Sequence, residues 1–174
     1  NCFGCHTVPN ETIVNKGAHK AGSDFDLVAW SQGENLHNFA SSAGAPDTPN
    51  NRSSSAEQKR RFYVTGLMVD LETSLANIGN AKEKGGKFHM AMVERANKVR
   101  AQLDAVLSAV AISEIASGLD GVPSPIDQST MVSADLPMKL SMATQAFLTS
   151  HDGTALSAVD SMMPTEYKGS PHKQ

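Results

Sequence analysis

Cys2, Cys5 and His6 stand together as the run CFGCH, near the start of a chain of 174 residues. Two thiols separated by two residues lie about one helical turn apart, which matches the spacing of two porphyrin vinyl groups. The residue after the second Cys then falls beneath the iron and ligates it. This pattern predicts one covalent haem c, with Cys2 and Cys5 as thioether residues and His6 as the proximal iron ligand. Other uses of the same residues fit less well. A zinc site needs about four N or S ligands, and the nearest histidines, His19 and His37, are badly spaced for a finger. A thioredoxin-type CxxC follows a strand in a βαβ context, and no strand pattern leads into Cys2. The two cysteines of the chain are both in the motif, so no disulfide framework is expected.

The chemistry of such an iron depends on its sixth ligand. His19, His37, His89, His151, His172 and eight methionines are available. Met68, Met92 and Met142 sit on or near apolar helix faces, where core filling is the default. Met162-Met163 before Pro164 could ligate from a loop. His19, in GAHKAGSDF, and His37, in ENLHNF, belong to the segment that carries the motif, whereas His89 and His151 require a later part of the chain to fold over it. His37 is the first choice as distal ligand and His19 the second. His37 follows a short helix whose Phe25, Leu27, Trp30 and Leu36 could form an apolar wall. Trp30, the single tryptophan, could pack on a porphyrin or serve as a plain core residue.

The elements that must position these residues read as mainly α. Residues 1–24 are rich in Gly, Asn, Pro and Lys and read as loop wrapped around a cofactor. Ser23 reads as an N-cap with Asp24 and Asp26 in the first turn, for a helix from Asp24 to about Gln32. Residues 40–55 have a loop composition. Val64, Met68, Leu71, Leu75 and Ile78 then mark one face of a long helix that begins near Ala56 and ends near Gly79. After a turn with Gly85-Gly86, Met92, Ala96, Val99, Leu103, Val106 and Val110 mark a second, ending at Gly118 as a C-cap. The short connection makes the two antiparallel neighbours. Leu136, Leu140, Ala143 and Phe147 mark a third, and a short helix covers Thr154 to Met162. The organisation expected is a loop-rich haem-binding segment over residues 1–54, an antiparallel helical bundle over 55–163, and a polar, extended tail over 164–174.

Hydrophobic residues make up 40 % of the chain, enough for a core, and charged residues 19 % with a net charge of −3. That balance does not favour nucleic acid, whose phosphates call for a positive excess. No apolar run approaches the roughly 20 residues of a membrane-spanning helix. The chain begins without Met, which suits either a removed targeting segment or a piece of a longer protein. Covalent haem attachment occurs outside the cytoplasm in bacteria, so a periplasmic or extracellular location is expected.

Over about the first forty residues, CFGCH…GAHKAGSDFDLVAWSQGENLHNF resembles haem-bearing segments of bacterial multihaem c-type cytochromes, in which a CxxCH is followed by a histidine that ligates the same or a neighbouring haem. The resemblance implies the same roles for Cys2, Cys5 and His6, and a distal role for His37 or His19. Here there is a single CxxCH. Small monohaem cytochromes with a Met ligand match poorly, and four-helix cytochromes of the c-prime type carry the motif near the C-terminus. The expected function is electron transfer by a bis-His, low-spin monohaem cytochrome, docked through its helical part in a larger redox complex, a haem chain or a homo-oligomer. An electron carrier rather than an enzyme is expected. The rival is a ligand-binding or catalytic haem with an open sixth position for a gas, peroxide or nitrogen oxide, in which His89 or Arg95 would be the distal polar group.

Overall fold

The computed structural model describes residues 2–33 and 53–169, and His37 and His172 lie outside them. In chain order the elements are α1 (Cys2–His6), α2 (Glu11–Asn15), α3 (Leu27–Ser31), α4 (Ala56–Asn80), α5 (Lys87–Ala109), α6 (Ser113–Leu119), α7 (Asp135–Ser150) and a 3-10 helix (Thr154–Met162). The fold is a mainly α helical bundle, with no strand among the described residues. Nor is any described helix long and apolar enough to cross a membrane.

The axis of the bundle is α4, which packs against α5, α7 and the 3-10 helix and also meets α1 and α3. It starts at a capping box, in which the Ser55 hydroxyl accepts from the Gln58 N–H at 3.2 Å and the Gln58 side chain accepts from the Ser55 N–H at 3.0 Å. Such a cap contributes about 1 kcal/mol. Val64, Met68, Leu71, Leu75 and Ile78 are fully buried, as their spacing predicts. Opposite them lie Met92, Ala96, Leu103 and Val106 of α5, with Leu140 and Phe147 of α7, all equally buried. Each fully buried Leu contributes roughly 1.5–3 kcal/mol. Met68 and Met92 are thus core, while Met142 is exposed.

Three expectations change. The second long helix does not run to Gly118. It stops at Ala109, the chain extends through Val110 and Ile112, and α6 begins anew. The break buries Ile112 and turns Ile115 and Leu119 into the core. Gly118 lies within α6 where it crosses α7: a Cβ there would come within 3.0 Å of the Ala143 Cβ. The helix expected from Asp24 is only Leu27–Ser31, and its cap is Asp26, whose carboxylate accepts from the Ala29 N–H at 2.8 Å. The first 24 residues are not all loop, since α1 and α2 fall there.

This N-terminal segment is fastened to the bundle. Val14 and Val28 share the core formed by α4, α5 and α7. Glu11 of α2 accepts from the N–H groups of Lys82 and Glu83, at 2.9 and 2.6 Å, in the α4–α5 turn. Those two bonds hold its carboxyl below the usual range. Asn15 accepts from the Phe88 N–H at 2.8 Å. It thereby satisfies an orphan donor in the first turn of α5, whose own N-cap, Gly86, has no side chain to do so. Gly66 faces α3, and a Cβ there would sit 3.0 Å from the Leu27 Cβ. The helix-interior cost of Gly, about 1 kcal/mol, is met because α3 must approach closely. Residues 164–169 do not trail away: the Lys168 N–H donates to the Ala29 carbonyl at 2.8 Å, and its ammonium lies 5.4 Å from the Trp30 ring centroid.

Candidate haem-attachment site

The motif occupies the short helix α1, and both of its thiols are exposed and unpaired with each other. Phe3, between them in sequence, is buried and meets Phe25 edge-on with centroids 4.8 Å apart. That plug orients α1 so that the cysteines face outward. The helix ends at once, because the Val8 N–H turns back to the Cys5 carbonyl and Val8 takes a φ of +49°. A left-handed β-branched residue costs roughly 1–2 kcal/mol, and the turn redirects the chain into α2.

His6 is half-buried beside aromatic rings. Phe25 stacks on its imidazole at 4.4 Å with an interplanar angle of 15°, and Trp30 meets it at 4.6 Å and 61°. Trp30 is therefore a neighbour of the motif rather than part of the main core, and its indole N–H points to the Asp24 carbonyl at 3.4 Å.

The Ser23 hydroxyl lies beside both the backbone and the ring of His6: it is 3.3 Å from the carbonyl, to which it can donate, and 3.4 Å from Nδ1. Ligation through Nε2 would place the ring hydrogen on Nδ1, and the Ser23 oxygen is then the acceptor within reach. No hydrogen bond engages Nε2 among the described residues. An accessible pair of thiols one turn apart, followed by an imidazole with a bare Nε2, fits a covalently attached haem.

Ser23 is itself held from the bundle. Its N–H donates to the His6 carbonyl at 2.9 Å, and its own carbonyl accepts from Arg95 Nη1 at 2.7 Å. Arg95 also pairs with Asp70 through two hydrogen bonds of 2.5 and 2.8 Å. Asp70 is buried, and burial pushes its carboxyl up, while Arg95 and Ser74 pull it the other way. Gly22 has φ +73°, and a Cβ there would lie 3.2 Å from Arg95 Nη1, so both backbone and space call for glycine. A hollow of about 400 Å³ opens beside Cys2, between α1 and the α4–α7 face, lined by Leu27, Val69, Glu72 and Ser141 among others. Burial raises the Glu72 carboxyl above its ordinary range, and a hydrogen bond from Ser141 opposes this.

The structure thus gathers Cys2, Cys5, His6 and Trp30. His19 is exposed, its Nδ1–H donating to the Lys20 carbonyl at 2.8 Å, and no hydrogen bond or ring contact joins it to His6 among the described residues. His37 lies outside those residues. His89 is fully buried, its Nδ1 accepting from the Gly85 N–H at 3.2 Å and its Nε2 without a partner among the described residues. His151 ends α7, pairs with Glu114 at 3.1 Å and stacks on Phe147. Ser23, Asp70 and Arg95 were missed as a group. A signal existed for two of them: Asp70 falls in helical register with the buried Tyr63, Leu67 and Ser74, and Arg95 with Met92 and Val99. A charge in an apolar register asks for a partner. Comparison of the chain with protein-family models, with curated proteins and with solved structures found no match.

Proposed function

We propose that this chain is a monohaem c-type cytochrome that transfers electrons. Cys2 and Cys5 would hold the haem by thioether bonds, and His6 Nε2 would ligate its iron. The observation that carries the reading is the CxxCH motif presented as two exposed thiols and an imidazole whose Nε2 has no hydrogen bond among the described residues. A haem held there supplies a one-electron ferric–ferrous couple. The chain's own contribution is to orient and shelter. Phe3 anchors the attachment helix, Phe25 and Trp30 restrict rotation of the His6 ring, and Ser23 lies within reach of its Nδ1 as an acceptor. His37 is proposed as the distal ligand, with His19 second, which makes the centre bis-histidine. The large helical part is proposed to dock onto a redox partner, a further cytochrome or a second copy. A periplasmic or extracellular location goes with the attachment chemistry.

The rival reading, an open sixth position with a polar distal group, draws less support. Arg95 is committed to Asp70 and Ser23, and His89 is sealed in the bundle. The test is expression with a haem-attachment system, followed by acid–acetone extraction. Haem that stays with the native chain, is retained through a single thioether in Cys2→Ala or Cys5→Ala, and is lost from the double variant supports the proposal. Haem that extracts freely from the native chain would sink it.

A further inference from the structure

The path from the bundle to the imidazole is continuous. Asp70 on α4 clamps Arg95 on α5 through two hydrogen bonds, Arg95 grips the Ser23 carbonyl, the Ser23 N–H donates to the His6 carbonyl, and the Ser23 hydroxyl lies 3.4 Å from His6 Nδ1. We propose that Arg95, set by Asp70, is a positioning residue that acts through Ser23 on the proximal imidazole, tuning the iron from within the bundle. The inference rests on the haem reading above and adds to it a residue far from the motif in sequence.

The physical basis is the outer hydrogen bond of a metal-bound histidine. An acceptor on the Nδ1–H raises the basicity of the ligating nitrogen and fixes the ring's orientation. A more basic ligand favours the ferric state and lowers the reduction potential. Ser23 can supply that acceptor only while its backbone stays in place. Its segment follows Gly22 in a left-handed turn and has no helix of its own until Leu27. Arg95 is the side chain that ties the Ser23 carbonyl down.

Arg95 also carries charge, and charge acts directly on the iron. Removing the cation alone leaves Asp70 unpaired and buried, which lowers the potential and strains the fold. Loss of positioning raises the potential. The two effects have opposite signs, so the test removes the pair without net change of charge.

The experiment measures the reduction potential of the purified, haem-loaded protein for the native chain, Ser23→Ala, Asp70→Asn combined with Arg95→Gln, and the triple variant, with far-UV circular dichroism to show folding. Expected are an upward shift in Ser23→Ala, an upward shift in the paired variant, and no further shift in the triple variant, because the same hydrogen bond is lost once. Arg95→Lys, which keeps charge without the forked geometry, should also shift upward. A folded paired variant with the native potential, or a triple variant whose shift is the sum of the two, would overturn the inference while leaving the haem assignment intact. Should the paired variant not fold, the inference stands or falls on Ser23→Ala and Arg95→Lys: both at the native potential overturns it. A native chain that acquires no covalent haem overturns the haem reading, and this inference with it.

Discussion

His6 has no hydrogen bond on Nε2 among the described residues, and the Ser23 hydroxyl lies 3.4 Å from its other ring nitrogen. On the proposed haem reading, the opposite axial position is filled from elsewhere in the chain. His37→Ala is expected to convert low-spin iron to high-spin and to open the site to carbon monoxide. The visible spectrum with and without carbon monoxide reads this directly. An unchanged six-coordinate spectrum moves the assignment to His19, where the same substitution is repeated. Because methionine ligation raises the potential of such centres, a bis-histidine pair predicts a low-potential couple, measurable by redox titration.

At the scale of elements, the first turn of α5 carries a titratable group buried where a second proton is disfavoured. His89 is buried, with Glu11 and Lys84 as the charged groups acting on it. Burial chiefly, and Lys84 in the same sense, hold its pKa below the ordinary 6.5, against a smaller pull from Glu11. The unfolded chain therefore takes up a proton as pH falls through that value, and the folded chain does not. Stability is full above it and declines as pH drops toward the folded pKa. The urea midpoint should fall between about pH 7 and about pH 5, and fall less in His89→Leu, where Gly85, an exposed residue, is free to turn its N–H to water. Equal slopes in the two proteins would remove His89 as the cause. Elements of this kind were legible in different degrees. The faces of α4, α5 and α7 could be read from spacing because burial follows a 3.6-residue period. The stop at Ala109 could not, since Val110 and Ile112 fit a continuing helix locally and leave it only to bury Ile112 against partners distant in sequence. Ser23 next to Asp24 looks like a cap by local rules. Its hydroxyl is claimed instead by His6, a contact that exists only after folding.

For the molecule as a whole, the core is continuous from the bundle to Val14 and Val28 of the motif-bearing segment. Leu103 lies about two turns beyond Arg95, about 12 Å along α5. Leu103→Ala should cost about 2–5 kcal/mol by denaturant unfolding, because the side chain is fully buried. On the proposed reading the haem spectrum should barely change. A large spectral shift would mean that the bundle couples to the iron through packing and not only through Arg95. The polar fastenings, Glu11 on the α4–α5 turn and Arg95 on Ser23, were not legible as pairs, because 71 and 72 residues separate their partners.

The contact of Lys168 with Ala29 and Trp30 bears on the order of events in biosynthesis. A chain that emerges N-terminus first, from the ribosome or across a membrane, presents the motif before residues 164–169. Until these dock, α3 lacks its outer cover and the aromatic flank of His6 is open. On the proposed reading, an attachment enzyme would meet Cys2 and Cys5 before residues 164–169 latch over Trp30. A chain shortened to end at Met163 should therefore still take up haem, yet be cut faster by a protease across residues 27–33. On that reading residues 164–169 act as the closing clasp, fastened after the cofactor is in place.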